Sequence, residues 1–291
     1  MSLVILVQLL VLVSMGLIVF AVGLKATWSD ATSLFRCPRE LGRAFLAMNI
    51  LMPLLAVLIF PWLPLYPAVK IAIVALSVSP VPPFLPGKAI KEGGNQSYVF
   101  GLLVSSSLLS IIVVPLTVKL IEAFVHVPFD ISASKVALLV GKTILVPLFA
   151  GMLISARFPL FSAKIARTVN LLGSLLLVVV LVVMLIASAG RMFSLVGNAT
   201  ILALVSFAAM GLIIGYSLGG PTLQNRRTLS LATASRHPGI AIAIASINFP
   251  AQKLVLPAVL LYLILTTILS AVLHRKTGLK QPTGAEQSKA A

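Results

Sequence analysis

Long apolar stretches follow one another along the whole chain, with short polar connections between them. Nine stretches of largely apolar residues lie near 3–24, 41–60, 67–86, 98–121, 134–155, 169–189, 198–218, 228–249 and 253–273. A helix needs about 20 such residues to cross the hydrocarbon core of a bilayer. The pattern therefore predicts an all-α polytopic membrane protein with about nine transmembrane helices.

The composition agrees with this pattern. Of the 291 residues, 59% are hydrophobic and 10% are charged, whereas a soluble domain has about 45–50% apolar and about 25% charged residues. The first apolar stretch is longer than the core of a signal peptide and has no basic residue before it, so we expect a retained helix. The single cysteine, Cys37, excludes an internal disulfide and a thiolate metal cluster.

The basic residues predict an orientation. Of the 22 Lys and Arg residues, 15 lie in the odd-numbered connections and the C-terminal region, six lie in the even-numbered connections, and Arg236 lies inside a span. Cytoplasmic loops carry the excess of Lys and Arg in membrane proteins. We therefore expect the protein to lie in a cell membrane (plasma or inner), with its N-terminus outside and its C-terminus in the cytoplasm. This scattered charge does not predict a nucleic-acid partner. The polar tail, 276–291, is predicted to be disordered and cytoplasmic.

A short internal repeat divides the chain into two halves. Pro86-Gly87-Lys88-Ala89-Ile90 matches Pro238-Gly239-Ile240-Ala241-Ile242, about half a chain later. Because proline removes a backbone donor and breaks helices, we predict a first half (1–121, four helices, broken near 79–90) and a second half (122–275, five helices, broken near 232–242). If the repeated unit has five helices and the first half has lost one of them, the odd number places the two copies in opposite orientations in the membrane. Paired broken segments of this kind indicate the binding site of a transporter.

Arg236 is the strongest candidate for a functional side chain, because it is the one basic residue in the middle of a span. Placing a charged residue there costs about 2.5–3.5 kcal/mol on insertion scales, so such residues are usually functional. One hypothesis is that its guanidinium binds a substrate carboxylate in a bidentate manner. The alternative is that it caps carbonyls freed by the broken helices. Both roles are compatible.

Other polar residues carry two interpretations each. His237 is the one histidine within a span, and it either couples transport to protons or stays neutral beside Arg236. Lys88 is either a cation inside the cavity or the first charge of a cytoplasmic loop. Asn49 in the second span either binds substrate or hydrogen-bonds between helices.

These features resemble the bile acid:sodium symporter family, within the wider superfamily of bile-acid, arsenite and riboflavin-type transporters. The resemblance covers nearly the whole chain and includes the nine-span form, the stretch CPRELGRAFLAMNILMPLL and the serine-rich stretch LLVSSSLLSIIVVPLTVKLI. It implies two broken crossing helices in a core domain, a panel domain, alternating access, and organic-anion substrates that are often driven by sodium. It also implies cation-coordinating hydroxyls on the serine-rich helix, with helix packing as the alternative role.

The motifs depart from the family at the crossings. Aligned on Gly239, the usual Glu, Gln and Asn of the second crossing become Ala232, Arg236 and His237, and the usual Ser-Asn of the first crossing becomes Leu85-Pro86. The six acidic residues all fall outside the nine apolar stretches. Because sodium prefers oxygen ligands and a buried site usually includes a carboxylate, we do not expect strict sodium coupling, and we predict no cofactor.

The sequence thus predicts a secondary transporter of a small organic anion, whose partners are that substrate and the lipid bilayer; the oligomeric state stays open. The alternative is a transport-inactive membrane sensor or a channel-like protein on the same fold. An enzyme is not expected, because the spans contain one histidine and neither an acid nor a cysteine. The predicted substrate-binding residues are Arg236, His237, Pro238, Gly239, Ser235, Thr233, Pro86, Gly87, Lys88, Asn49, Ser106 and Ser110.

Overall fold

The computed structural model describes residues 3–125 and 133–276, so nearly all of the tail that was predicted to be disordered lies outside the described residues. Within these ranges the chain is helical and contains no β-strand. The helices are α1 (Leu3–Gly23), α2 (Trp28–Arg36), α3 (Pro38–Phe45), α4 (Met52–Leu58), α5 (Pro67–Val78), α6 (Leu85–Lys91), α7 (Gln96–Val125), α8 (Ala133–Val140), α9 (Val146–Arg157), α10 (Pro159–Phe193), α11 (Thr200–Leu218), α12 (Leu223–Ala234), α13 (Pro238–Asn248) and α14 (Val255–Lys276).

The helices confirm the predicted class of a polytopic helical membrane protein. Among the described residues, six continuous helical stretches are long and apolar enough to cross a membrane, or seven if α1 and α2, which are bent by 87°, count as one span. The predicted spans 67–86 and 228–249 are each interrupted, and their halves form α5 with α6 and α12 with α13. The count of nine membrane crossings stays a prediction.

Two helices are longer than the apolar stretches that predicted them. α10 has 35 residues and is therefore about 52 Å long, well beyond the hydrocarbon thickness of about 30 Å. α7 continues to Val125, so Glu122, which was predicted to lie in a loop, belongs to the end of this helix. Hydropathy marks only the membrane-embedded part of a helix, and residues such as Lys and Glu readily extend it into water.

Two short π-helical segments precede prolines in related sequence contexts. Leu46–Leu51 precedes Pro53, and Gly141–Leu145 precedes Pro147. Proline has no backbone N–H and its ring clashes with the preceding turn, so the helical hydrogen-bond ladder must change register there. Each π segment therefore leaves backbone carbonyls of its helix without a partner inside that helix.

The odd-numbered connections meet at one face of the bundle. The Ser33 hydroxyl donates to the backbone carbonyl of Ser97 at 2.7 Å, and the Asn225 amide donates to Glu40 at 3.2 Å. These bonds join connections that lie far apart in the sequence. We call this the basic face and define it by residues 24–40, 92–97, 157–164 and 219–227; the opposite face is the one at which α5 begins and α13 ends.

A stripe of glycines fixes α12 against α11. Gly211 and Gly215 in α11 and Gly219, its C-terminal cap residue, recur at every fourth position. A Cβ atom on Gly215 would lie 2.4 Å from the carbonyl oxygen of Leu229. A Cβ atom on Gly219 would lie 2.2 Å from the Cα of Arg226. Small residues at this spacing allow membrane helices to approach closely. The stripe therefore sets the position of α12, which leads directly into the second helix break.

Candidate functional site

The two broken spans cross each other at their breaks. The first break separates Val78, the last residue of α5, from Leu85, the first residue of α6. The second break consists of the three residues between α12 and α13. The backbone N–H of His237 donates to the carbonyl of Pro80 at 2.9 Å and joins the two breaks directly. α5 packs against α13 towards the opposite face, and α6 packs against α12 towards the basic face.

Prolines create the first break. In a continuous helix the carbonyl of Ser79, the C-terminal cap residue of α5, would accept a hydrogen bond from the N–H of residue 82 or 83. Both positions are occupied by proline, which has no N–H. The Ser79 carbonyl at the end of α5 therefore accepts no hydrogen bond from a following helical turn, and it needs a donor from elsewhere.

Proline also shapes the second break. Because the residue before a proline avoids the α conformation, His237 takes an extended conformation (φ −72°, ψ 103°) ahead of Pro238. Its imidazole Nδ1 then accepts a hydrogen bond from the N–H of Ile240 at 3.3 Å and caps α13. Pro86 likewise lies in the first turn of α6. Both Pro-Gly pairs thus start the second half of a broken span, and the chain interruption itself lies just before them.

Arg236 ties three helical segments together from a fully buried position. Its side chain is 1% exposed, and its terminal nitrogens donate to the carbonyl of Ser79 at 3.1 Å and to the carbonyl of Met48 at 2.8 Å. Met48 lies in the first π-helical segment, where the donor expected five residues later would be Pro53. Prolines have therefore freed both carbonyls that the guanidinium binds.

Two buried donors at the crossing have no acceptor among the described residues. One is the Nε–H of Arg236, and the other belongs to His237, whose side chain is 1% exposed. Because Nδ1 of His237 accepts from Ile240, the neutral imidazole carries its proton on Nε2 and is a donor there. The crossing therefore offers unpaired donors, which favour an acceptor such as a carboxylate or a water molecule.

Several predicted site residues bond within their own helices instead. The hydroxyl of Ser106 donates to the Leu103 carbonyl at 3.3 Å, and the hydroxyl of Ser110 donates to the Ser107 carbonyl at 2.7 Å. Such back-bonding is what helix-packing serines do. The oxygen lone pairs of these hydroxyls remain available, so cation coordination and helix packing both stay predictions for the serine-rich helix.

The remaining polar candidates lie close to the crossing but contribute less. The Thr233 hydroxyl donates to the Leu229 carbonyl in α12 at 2.7 Å, and Ser235 caps that helix through its backbone N–H. Asn49 is only half-buried. It is the carbonyl of its neighbour Met48, and not the amide of Asn49, that Arg236 contacts.

Lys88 belongs to a charged cluster nearer the basic face. Its ammonium donates to the hydroxyl of Ser270 in α14 at 2.5 Å, while the adjacent Gly87 is exposed. Burial raises the pKa of Glu92, at the end of α6, and this effect outweighs the lowering by the positive charges of Lys88 and Arg227. Lys88 therefore links α6 to α14 and to Glu92, and it has no hydrogen bond to the crossing.

Sequence reasoning missed three contributors to the site. Two are the carbonyls of Met48 and Ser79; the prolines three to five residues downstream of them were the signal that could have revealed them. The third is Tyr262 in α14, which is fully buried and whose hydroxyl donates to the carbonyl of Ala234, the last residue of α12. No local pattern marks this tyrosine.

The side chains at the crossing supply a positive charge and hydrogen-bond donors. Among the described residues, no group of three or more His, Cys, Asp or Glu side chains is placed to hold a metal ion. The carbonyls at the C-terminal ends of α5 and α12 carry partial negative charge, and the guanidinium of Arg236 lies beside them. A positively charged side chain thus occupies a place where these helix ends favour a cation.

Comparison with known proteins gives this arrangement a context. The sequence model of the Sodium Bile acid symporter family matches residues 12–195, more than half of the chain. The chain is also 23% identical over 249 residues to the probable sodium/metabolite cotransporter BASS2, chloroplastic, of Oryza sativa subsp. japonica; the match covers 84% of this chain and 58% of that protein's length. The chain thus spans little more than half of this relative. The match to the family model places the chain in the Sodium Bile acid symporter family.

Proposed function

We propose, from this family membership, that the chain is a secondary transporter that moves a small organic anion by alternating access, with its site at the crossing of the two broken spans. We further propose that transport is not strictly coupled to sodium. The observation that carries the proposal is the buried guanidinium of Arg236, bonded to one carbonyl at the first break and to another in the π-helical segment.

Arg236 fits the role of a fixed cation. Sodium binds hard oxygen donors, and backbone carbonyls freed from helices are donors of this kind. Here the carbonyls of Met48 and Ser79 already bind the guanidinium, and the crossing residues include no carboxylate that would offset a second positive charge. A sodium ion at the same carbonyls would meet strong repulsion from Arg236, because two like charges a few ångströms apart in a poorly polarisable interior repel strongly.

The unpaired donors fit an anionic substrate. The Nε–H of Arg236 and the Nε2–H of His237 are buried at the crossing without an acceptor among the described residues. A carboxylate would accept hydrogen bonds from such groups, and charge-assisted bonds of this kind are about twice as strong as neutral ones. Pro238 and Gly239 contribute the N-terminal end of α13, whose partial positive charge also favours an anion.

Uptake into proteoliposomes tests the transport proposal. Radiolabelled acetate, succinate, benzoate and cholate serve as probes, with a sodium gradient in one series and a choline gradient in the other. We expect at least one probe to accumulate at rates that differ by less than about twofold between the two series. Uptake that requires sodium would overturn the fixed-cation proposal and leave the assignment as a transporter intact.

A second measurement isolates the fixed cation from transport. We expect the wild-type protein to have the same melting temperature in sodium chloride as in potassium chloride. In Arg236→Ala, the carbonyls of Met48 and Ser79 lose their donor, so sodium should now stabilise the protein in a concentration-dependent way. If sodium stabilises the wild type and the variant equally, the guanidinium does not occupy the place of a cation.

The alternative function, a transport-inactive membrane sensor on the same fold, is favoured by one observation. Arg236 and His237 are each 1% exposed, so a ligand reaches them only if the packed helices move apart. A sensor would be stabilised against heat by one of the carboxylate probes and would show no uptake of that probe. A transporter would show both.

The inverted repeat is part of the proposal, with halves 1–121 and 122–275. It is supported by the matching positions of the two Pro-Gly pairs, each in the first turn of the second half of a broken span. It is also supported by the pairing of α5 with α13 and of α6 with α12. Rocking of one group of helices against another around such a crossing is how transporters of this type expose a site alternately.

We also propose that the basic face lies in the cytoplasm, with the N-terminus outside, in the cell membrane. The sole cysteine, Cys37, lies on the basic face and is exposed, so the wild-type protein reports its own topology. A membrane-impermeant maleimide should label Cys37 in inverted vesicles and should leave it unlabelled in intact cells. The reverse labelling pattern would show that the protein has the opposite orientation in the membrane.

A further inference from the structure

Three buried hydroxyl groups follow one side of α14. Tyr262, Thr266 and Ser270 recur at every fourth residue, so they lie on the same side of this helix. Each is no more than 4% exposed, although the helix as a whole is apolar enough to cross a membrane. Eight residues of an α-helix correspond to about 12 Å. A polar row of this length therefore runs through the interior of the bundle, and we call these three residues the hydroxyl row.

The hydroxyl row leads from the crossing towards the basic face. At one end, the hydroxyl of Tyr262 donates to the carbonyl of Ala234 and interacts electrostatically with the guanidinium of Arg236. At the other end, the hydroxyl of Ser270 accepts a hydrogen bond from the ammonium of Lys88 at 2.5 Å. A positively charged side chain therefore lies at each end of the row.

Thr266, in the middle of the row, has a hydrogen-bond donor that is not used. Its hydroxyl lies beside that of Tyr262 but makes no well-formed hydrogen bond to any residue that the structure describes. Its neighbour Thr267, on the exposed side of α14, instead donates to the carbonyl of Leu263 at 2.7 Å. Because a buried donor without an acceptor is costly, the position of Thr266 favours an acceptor from outside the protein.

The charges near Lys88 also favour an anion. Lys88 and Arg227 both lie close enough to Glu92 to stabilise its negative charge. Two positive charges thus share one carboxylate, and the cluster of these three residues has an excess of positive charge. A further carboxylate at this end of the row would offset that excess, as it would at Arg236 at the other end.

We propose that the hydroxyl row is the route by which the carboxylate of the substrate passes between the crossing and the basic face, with Lys88 as a second, transient anion site. A carboxylate that leaves Arg236 meets the donor of Thr266 and then the ammonium of Lys88. Several weak sites in sequence allow an ion both to enter and to leave. The route rests on the proposed transport function and deepens it, because it assigns a path to the same substrate.

Alkylation of single cysteines tests the route without a transport measurement. Cys37→Ser removes the sole native thiol, and a second substitution, Thr266→Cys, Ser270→Cys or Thr267→Cys, then introduces one thiol into α14. Iodoacetate is a small carboxylate and iodoacetamide is its neutral counterpart of nearly equal size. With both reagents the cysteine sulfur bonds to the CH₂ carbon and iodide leaves. The ratio of the two rates, divided by the same ratio for free cysteine, measures the preference of each position for an anion.

The full chain in nanodiscs of zwitterionic lipid exposes both faces to the reagents. We expect Thr266→Cys and Ser270→Cys to prefer iodoacetate by about tenfold or more, because a cation attracts the anionic reagent in a poorly polarisable interior. Ser270→Cys should react faster, since it lies nearer the basic face. Thr267→Cys is the matched control on the exposed side of α14; a thiol in apolar surroundings stays protonated, so it should react with neither reagent.

Two lysine variants assign the preference to one charge. In the Thr266→Cys protein, Lys88→Met removes the ammonium and should bring the normalised preference close to one. Lys91→Met removes an exposed charge from the same helix, α6, and should leave the preference unchanged. Both reagents attack the same thiolate, so the ratio of their rates is independent of the fraction of thiol that is ionised.

The opposite outcomes would each overturn the route. If Thr266→Cys and Ser270→Cys are as unreactive as Thr267→Cys, the hydroxyl row only packs helices together. An unchanged preference in Lys88→Met would remove the anion site, and faster reaction at Thr266→Cys than at Ser270→Cys would place the entrance at the opposite face. If Thr266→Cys does not fold, Ser270→Cys combined with either lysine variant decides the same question.

Uptake of the carboxylate probes separates failure of the route from failure of the proposed function. If the wild type takes up a probe but the alkylation pattern is absent, the protein is a transporter that uses another path. If the alkylation pattern is present but the wild type takes up no probe, the row admits anions and the transport function is wrong. Where both hold, Lys88→Met should lower the initial rate of uptake and Lys91→Met should not.

Discussion

The break between α5 and α6 offers backbone acceptors, whereas the break between α12 and α13 offers donors, from the side chain of Arg236 and from the backbone N–H of His237. The first carries three prolines and no charged residue, and it presents the carbonyls of Ser79 and Pro80. The second carries Arg236 and His237, which donate to those carbonyls. Two segments interrupted by the same local device, proline, thus complement each other chemically across the crossing.

The difference shows how a buried positive charge is tolerated in this bundle. An unpaired charge in hydrocarbon is costly, and the structure compensates for it without a carboxylate. The first break and the π-helical segment each give up one intrahelical hydrogen bond, and the guanidinium of Arg236 takes both places. The interrupted helices therefore supply acceptors for the charge, and the charge satisfies the carbonyls that the interruptions leave free.

Removing the donor side of this pair should have the largest effect. In Arg236→Met the carbonyls of Met48 and Ser79 both lose their partner, and each buried unsatisfied group costs about 1–3 kcal/mol. We expect the free energy of unfolding to fall by about 2–6 kcal/mol and uptake of the carboxylate probe to fall below detection. Thermal unfolding and uptake measure the two effects separately.

The conservative control is Arg236→Lys. A lysine keeps the charge but lacks the planar fork that reaches two carbonyls at once. It should recover part of the stability and little of the uptake. Wild-type uptake in Arg236→Met would show that the guanidinium is dispensable and that the two breaks do not function as a donor–acceptor pair.

Changing the spacing of α12 should have a nearly equal effect without touching either break. In Gly215→Leu the new side chain collides with the backbone of α12, so α12 and the attached Arg236 must shift away from the first break. We expect loss of uptake and a lower melting temperature. Gly190→Ala is the control, because a Cβ atom at Gly190 meets nothing within 4 Å; it should unfold at or slightly above the wild-type temperature.

Restoring a backbone donor in the π-helical segment should have a moderate effect. Pro53→Ala returns the N–H that can satisfy the Met48 carbonyl within its own helix, so this carbonyl no longer depends on Arg236. We expect uptake to fall by about tenfold, which corresponds to about 1.4 kcal/mol, because the guanidinium is less well positioned. Initial rates of uptake check this.

Pro147→Ala is a closely matched control for Pro53→Ala. Pro147 follows the second π-helical segment in a similar sequence context, and no residue of that segment bonds to the crossing residues described above. Uptake in Pro147→Ala should stay within about twofold of the wild type, a change well below 1 kcal/mol. Equal losses in both proline variants would mean that helix bending, and not the Met48 carbonyl, matters for transport.

The smallest effect should come from separating the two roles of His237. Asn is a good helix N-cap residue, so His237→Asn should keep α13 capped and unfold near the wild-type temperature, while it loses the Nε2 donor. His237→Ala loses the cap as well and should be less stable by about 1 kcal/mol. If both variants transport normally, the Nε2 donor does not contact the substrate.

Sequence reasoning reached the helical membrane class and an interruption near each break, but it did not identify the acceptors at the first break. Apolar stretches revealed the helical membrane fold, because hydrophobic length is a local property of the chain. Arg236 and His237 stood out because charged or titratable residues within spans are rare. The Pro86-Gly87 match drew attention to the start of α6, whereas the acceptor that Arg236 uses lies at the end of α5.

The roles of Ser106 and Ser110 are settled neither by the resemblance nor by their hydrogen bonds. The serine-rich stretch suggested coordinating hydroxyls, but each of these side chains bonds to its own helix. A hydroxyl can satisfy itself on the preceding turn of any helix, so its presence on a helix does not show which way it bonds. Because the oxygen lone pairs stay free after the proton is donated, coordination by these serines stays a prediction.

By itself, the sequence determined the membrane-embedded helical class, the two interrupted spans and the buried cation, since all of these follow from local composition and from the chemistry of proline. The tertiary structure alone decided which acceptors that cation uses. Met48 lies 188 residues from Arg236 in the chain, and its contribution is a backbone carbonyl, which every residue possesses. A group common to all residues leaves no mark in a sequence, so its role appears only when helix packing brings it to the guanidinium.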